Sequence, residues 1–305
     1  MTSRQVIFSF TLSVLTPSMV FAEAHCPGNA ETVRYHSIGL SEIAIPVMVN
    51  GSGPYEFVVD TGSQLGTVEP SLAAELNLKA SASVGVTDVS GVAQASVVRL
   101  DSIEANHHKA INPLIVIQEV GQLQTLNSHV RGILGLSFLA HFDVLIDYGQ
   151  RIICLDDKGG MRQSINGEHI PVVASGNREA DLPFTQPLLI SVHLSGNESR
   201  EMLLDLDSGA SLPFLFAGRS EAPAWLADQH RVPGSSWSGT RQSFSVMAPQ
   251  DIRVGKRSVS HVTFVTPAVS ANAGLERYVD GLLPTTLFKR VFISYEDHFV
   301  VFDPR

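Results

Sequence analysis

The sequence predicts an all-β protein built as two homologous halves. Three observations carry this. Apolar and alternating segments are short and stop at glycine-bearing turns, helical periodicity is scarce, and the second half of the chain repeats the landmarks of the first. A length of 305 residues suits two compact halves, and 44% hydrophobic against 17% charged residues gives each a core and excludes a disordered chain.

Taken in order, residues 1–24 read as a secretory signal. Arg4 supplies the positive start, 6–20 are mostly apolar, and Ala22-Glu23-Ala24 offers small residues at the spacing of a cleavage site. The apolar stretch is shorter than the roughly 20 residues a membrane span needs, and Ser13, Pro17 and Ser18 interrupt it. Export to the periplasm or the exterior is expected, with no span in the mature chain.

Residues 25–158 are expected to form the first lobe. Val47-Met48-Val49 leads into Asn50-Gly51, a hairpin signal, and Phe57-Val58-Val59 is an apolar strand running into Asp60-Thr61-Gly62-Ser63. Pro70 opens a short helix over 70–78, Ser90-Gly91 tips a second hairpin, and 137–142 allow a helical turn or two. The polar, glycine-bearing run Asp157-Lys158-Gly159-Gly160-Met161-Arg162-Gln163-Ser164 marks the linker, and a strand over 168–174 could serve either lobe. Residues 159–305 are expected to form the second lobe. There, Val192-His193-Leu194 reaches Ser195-Gly196, Leu204-Asp205-Leu206 runs into Asp207-Ser208-Gly209-Ala210, Ser238-Gly239 tips a hairpin, and 285–291 allow a helical turn.

The landmarks keep a common spacing. Asp60-Thr61-Gly62 recurs as Asp207-Ser208-Gly209 after 147 residues, and Ser90-Gly91 with Gln94 recurs as Ser238-Gly239 with Gln242 after 148. Gly132-Ile133-Leu134-Gly135 recurs as Gly281-Leu282-Leu283-Pro284 after 149, and Ile146-Asp147-Tyr148 recurs as Ile293-Ser294-Tyr295 after 147. Ordered landmarks with so little drift predict a duplication.

An apolar strand entering Asp-Thr-Gly-Ser, followed about seventy residues later by Ile133-Leu134-Gly135, resembles the aspartic peptidase superfamily that includes retroviral proteases and pepsin. Gly132-Ile133-Leu134-Gly135-Leu136-Ser137-Phe138-Leu139, leading to Phe142-Asp143-Val144-Leu145-Ile146-Asp147-Tyr148, most closely resembles its bacterial retropepsin-like branch in a single-chain, duplicated form. A single Asp-[Ser/Thr]-Gly is weak, since ordinary residue usage yields about one chance match in seven chains of this length. Two matches, each after an apolar strand and in register with the repeat, are specific.

The resemblance implies pepsin/retropepsin-like β-barrel lobes related by pseudo-twofold symmetry, with Asp60 and Asp207 as the catalytic pair and a peptide or protein substrate in the cleft between the lobes. It implies that Thr61 and Ser208 bond the opposite turn through their hydroxyls and that Gly62 and Gly209 let the turns approach. Ser63 would bond the outer oxygen of Asp60, which the Ala210 side chain cannot do for Asp207. Ile133-Leu134-Gly135 would pack beneath the first turn, but Leu282-Leu283-Pro284 departs from that pattern because proline lacks a backbone donor. The hairpins at Ser90-Gly91 and Ser238-Gly239 stand where the family carries substrate-covering flaps.

Peptide hydrolysis by this route needs one carboxylate to take a proton from water and one carboxylic acid to give a proton to the scissile carbonyl. Two ionised carboxylates about 4 Å apart at an effective dielectric of about 20 repel by roughly 4 kcal/mol, or roughly three pKa units. The pair therefore shares one proton and is acid and base at the same pH. Asp205 stands where the first half has Val58, on the same strand face as Asp207. It is expected as a paired or solvated acid at a lobe edge; the functional alternative is a third acid that raises the dyad's proton affinity or meets substrate.

The formal charge of −9, without any basic run, excludes a nucleic-acid surface. Cys26 and Cys154 lack zinc-site spacing and His107-His108 lacks HExxH spacing, so no metal and no cofactor are expected, and the histidines are placed in a surface loop. The cysteines are bridged or free. Gly135-Leu136-Ser137-Phe138-Leu139 misses the last glycine of a serine-hydrolase elbow. The expectation is an exported aspartic endopeptidase, monomeric because each chain carries both turns. The alternative is an exported peptide-binding protein that kept the fold and lost turnover.

Overall fold

A computed structural model describes residues 25–28, 30–39, 41–88, 91–157, 159–173, 187–194, 201–216, 227–235, 241–267 and 279–304. The expected signal segment and the hairpin tips at Ser90 and at Ser238-Gly239 lie outside them. No helix among the described residues is long and apolar enough to cross a membrane.

Each half builds one large sheet, and the two sheets run in the same strand order. In space, the first runs Ala82–Asp88, Gly91–Arg99, Leu114–Ile117, Gly66–Val68, Val130–Leu134, Ser52–Val59, Glu42–Val49, Ser102–Ala105 and His108–Ile111, with His36–Ile38 added beside Glu42–Val49. The second runs Ala227–Ser235, Arg241–Met247, Val265–Pro267, Phe214–Leu215, Gly281–Pro284, Glu201–Asp207, Leu189–Leu194, Gln250–Val254 and Arg257–Val262. Ser52–Val59 is held between an antiparallel neighbour, Glu42–Val49, and a parallel one, Val130–Leu134. Glu201–Asp207 sits in the same way between Leu189–Leu194 and Gly281–Pro284. The last residues of each strand, 57–59 and 204–207, are buried on both faces, which is why each ends in a largely apolar run.

Local chemistry sets the turns. Asn50 and Gly51 have φ of 50° and 77°, the positive values a two-residue hairpin turn requires, and the Asn50 side chain accepts the amides of Asp101 and Ser102. The helix after Pro70 is Pro70–Glu75, with the Glu69 carboxylate capping the amides of Ser71 and Leu72. It stops short of the expected 78 because Asn77 turns left-handed at φ 54°. Leu136–Leu139 forms one helical turn. Over 285–291 the expectation is corrected: Thr285–Leu287 is a 3-10 turn and Arg290–Ser294 is a strand. Val291-Phe292-Ile293 is β-branched and aromatic, and its partner strand decides the outcome.

That partner belongs to the other half. A third sheet runs Glu31–Arg34, Ile152–Asp156, Asp143–Asp147, Arg290–Ser294, Phe299–Phe302 and Ile170–Pro171, three strands from each half. At the junction Val144 lies opposite Ile293, Leu145 opposite Phe292 and Ile146 opposite Val291. Ile170 pairs with Val300, so the segment either lobe could claim joins the second half's strands. The linker run is not a free loop. Gly160–Ser164 is one helical turn with Met161 buried against this sheet, and Arg162 pairs with Asp143 at 3.1 Å, Glu296 at 2.8 Å and Asp297 at 2.6 Å. Cys26 and Cys154 are bridged, with Cα atoms 5.7 Å apart, which ties the segment before Glu31–Arg34 to the same sheet. One apolar core runs through both halves, taking in Val59, Phe138, Ile146, Leu204, Leu206 and Ile293.

Candidate active site

The central strands deliver the two aspartates. Val59 pairs with Leu134 and Leu206 with Leu283, so Asp60 and Asp207 emerge where the strands end, and the Asp60 amide still donates to the Leu134 carbonyl at 3.1 Å. The two turns then interlock. The Thr61 amide donates to Ser208 Oγ and the Ser208 amide to Thr61 Oγ1, both at 3.0 Å. Each hydroxyl donates onward, Thr61 Oγ1 to the Leu206 carbonyl at 2.7 Å and Ser208 Oγ to the Val59 carbonyl at 2.8 Å. Thr61 is 0% and Ser208 1% exposed, so a lost bond would leave a buried polar atom unpaired at a cost of about 1–3 kcal/mol.

The lock brings each carboxyl against the backbone of the opposite turn. A Cβ on Gly62 would stand 2.6 Å from Asp207 Cγ, and a Cβ on Gly209 would stand 2.6 Å from Asp60 Cγ. Any side chain there would push the pair apart. Asp60 accepts from the Gly62 amide at 2.9 Å and from the Ser63 hydroxyl at 2.7 Å. Asp207 accepts from the Gly209 amide at 2.7 Å and the Ala210 amide at 3.1 Å, so Ala210 contributes its backbone where Ser63 contributes its side chain. Asp60 and Asp207 share a hydrogen bond. Burial, then the neighbouring Asp60 and Asp205 charges, hold the Asp207 carboxyl well above the usual carboxylate range.

Residues 45–138 match the aspartyl protease family. Over that stretch the chain is similar to an aspartyl protease domain. No curated protein sequence matches the chain. The matched span takes in the Asp60 turn and the Ile133-Leu134-Gly135 strand beneath it, and it ends before the second half. Gly135 is demanded there, because a Cβ would stand 2.6 Å from the Ser63 carbonyl oxygen. In the second half Pro284 takes that place at φ −60°, buried and paired with Asp207, so the missing donor does not interrupt the support of the turn.

Around the aspartate pair lies a layer to which sequence reasoning assigned no role. The Tyr148 and Thr285 hydroxyls share a hydrogen bond at 2.5 Å, and burial raises the tyrosine pKa. Tyr295, the repeat partner of Tyr148, has a buried hydroxyl without a partner among the described residues, and burial, then Asp205 and Asp60, raise its pKa. The difference is legible in the repeat, where Leu136 in the first half stands for Thr285 in the second. Glu42 was also missed. Its carboxylate accepts from the Ser211 hydroxyl at 2.7 Å and ties the outer side of the second turn to the first half.

Two expectations about single residues are corrected. Asp205 is neither solvated nor paired: it is 6% exposed, takes the Leu188 amide and leaves Oδ1 without a partner. The strand carrying it is central, not a lobe edge. Of the two histidines, His107 is exposed but His108 is buried edge-on to Phe142, because the alternation of His108–Ile111 turns it inward. Ala82–Asp88 and Gly91–Arg99 form a hairpin with Val92 63% exposed near its tip; the corresponding pair is Ala227–Ser235 with Arg241–Met247. Among the described residues no cluster of three or more potential metal ligands occurs.

Proposed function

We propose that the chain is an exported aspartic endopeptidase, a monomer with lobes 25–158 and 159–305 that hydrolyses peptide bonds between them with Asp60 and Asp207. One observation carries this reading: the reciprocal Thr61–Ser208 bonds, which hold two carboxyls from opposite halves in one hydrogen-bonded pair. Nothing in a peptide-binding cleft requires two acids to be forced together at the cost of burial.

The pair shares one proton, and in this reading Asp60 serves as the base and Asp207 as the acid. Asp60 takes a proton from a water molecule as its oxygen attacks the scissile carbonyl carbon, and Asp207 gives its proton to the carbonyl oxygen. The resulting tetrahedral diol collapses when Asp60 passes its proton to the amide nitrogen and Asp207 recovers one from a diol hydroxyl. The C–N bond breaks and the pair returns to its starting state. The steps consume water alone and require no cofactor. The Cys26–Cys154 bridge supports export, since such bonds persist in oxidising compartments, and the presence of both turns in one chain supports a monomer.

The test is incubation of the chain with a peptide library, with and without pepstatin. Pepstatin-sensitive cleavage that disappears in Asp60→Asn supports the peptidase. Peptide binding without cleavage at any pH would leave the peptide-binding protein as the better reading.

A further inference from the structure

The strand Glu201–Asp207 carries one acid that the proposed chemistry does not use. Asp205 and Asp207 project from the same face, about 7 Å apart along the strand. Leu189 and Leu282 stand opposite Asp205 in the flanking strands, and both belong to an apolar group with Ala210, Phe216 and Val279. In the first half that place is filled by Val58, packed with Ala44 and Ile133. The fold itself therefore has no use for a carboxyl there. Among the described residues no cation pairs with it. The titratable groups around it are Asp60 and Asp207 in the dyad, Tyr295 with its unpartnered hydroxyl, and Asp280 at the start of the adjoining strand; His193 and Glu201 lie further along the same face.

We propose that Asp205 is a positioning residue for charge, a third buried acid that ionises before the dyad gives up its shared proton and so extends the singly protonated dyad to higher pH. This rests on the reading of Asp60 and Asp207 as the dyad. Asp207 shares a hydrogen bond with Asp60, whereas Asp205 Oδ1 has no partner among the described residues. As pH rises, the second negative charge settles on Asp205, and from there it opposes removal of the proton between Asp60 and Asp207. Burial and the nearby Asp60 delay that ionisation, which places the effect on the alkaline limb of the profile and leaves the acid limb unmoved.

The pH dependence of kcat/KM and a carboxyl-carbon NMR titration without substrate, both on the full chain, test this in wild type, Asp205→Asn and Asp205→Val. The valine variant copies Val58 and keeps the test open if asparagine does not fold. Charges about 7 Å apart at an effective dielectric of about 20 shift one another by about one to two pH units. The alkaline limb is expected to move down by that amount in both variants. By reciprocity, Asp60→Asn is expected to lower the titration midpoint of the Asp205 carbon. An unmoved limb in an active variant, or an Asp205 signal indifferent to Asp60→Asn, would overturn the proposal. If wild type cleaves nothing, the NMR titration still decides it, so failure of the peptidase reading and failure of this one are separately visible.

Discussion

At the scale of the residue, the site is a set of groups that would be unfavourable anywhere else. Asp60→Asn and Asp207→Asn are expected to keep the fold, because asparagine is nearly isosteric, and to cut turnover by at least about a thousandfold, because an amide cannot exchange the shared proton; steady-state kinetics beside circular dichroism checks both. Gly62→Ala puts a methyl 2.6 Å from the Asp207 carboxyl carbon, and the expected outcome is a folded protein with comparable loss of activity. Stability also follows protonation. Asp205 and Asp207 have folded pKa values raised above the ordinary 3.8. Their protons favour folding in full below about pH 4, and that contribution is lost as pH rises through the raised values. Urea midpoints are therefore expected to fall from mildly acidic to alkaline pH, and Asp205→Val to flatten that slope and gain about 1–3 kcal/mol near neutrality; a parallel profile would contradict this. The sequence showed the turns plainly because Asp-Thr-Gly and Asp-Ser-Gly are local. It could not show that Asp205 is unpaired, since that depends on Leu189 and Leu282 from other strands.

At the scale of the element, legibility followed the distance to the partner. The hairpin at Asn50-Gly51 could be read because its turn sets its own geometry. The turn expected over 285–291 reached too far, into Arg290 and Val291, because the strand that fixes them, Asp143–Asp147, lies about 147 residues earlier. Likewise Gly160–Ser164 reads as a polar linker until Arg162 is seen to bridge Asp143, Glu296 and Asp297. Arg162→Ala leaves the Asp143 carboxylate, 4% exposed, without its cation. A loss of about 2 kcal/mol is expected, reduced from a fully buried pair because Arg162 is partly solvated. Chemical denaturation measures it, and a loss within about 0.5 kcal/mol would show that the Ser294 hydroxyl alone satisfies Asp143.

At the scale of the whole molecule, the spacing of the repeat landmarks anticipated two sheets of matching order, but not the third sheet that joins them. The disulfide closes a span of 128 residues onto that sheet. Replacing both Cys26 and Cys154 with Ala is expected to cost about 2–5 kcal/mol, read as a lower thermal midpoint with the activity profile unchanged at low temperature. The shared sheet also bears on the order in which the chain is made. When the first half is complete, Asp143–Asp147 has its partner on one side only, and its other edge waits for a strand about 147 residues later. At about 5–20 residues per second the wait is roughly 7–30 seconds. During that interval the nascent chain presents an open, apolar edge of Val144, Leu145 and Ile146 to any other strand it meets. A chain halted after residue 158 is expected to pair with a second copy of itself, so the cell must either finish the molecule quickly or hold it unfolded until the last strands arrive.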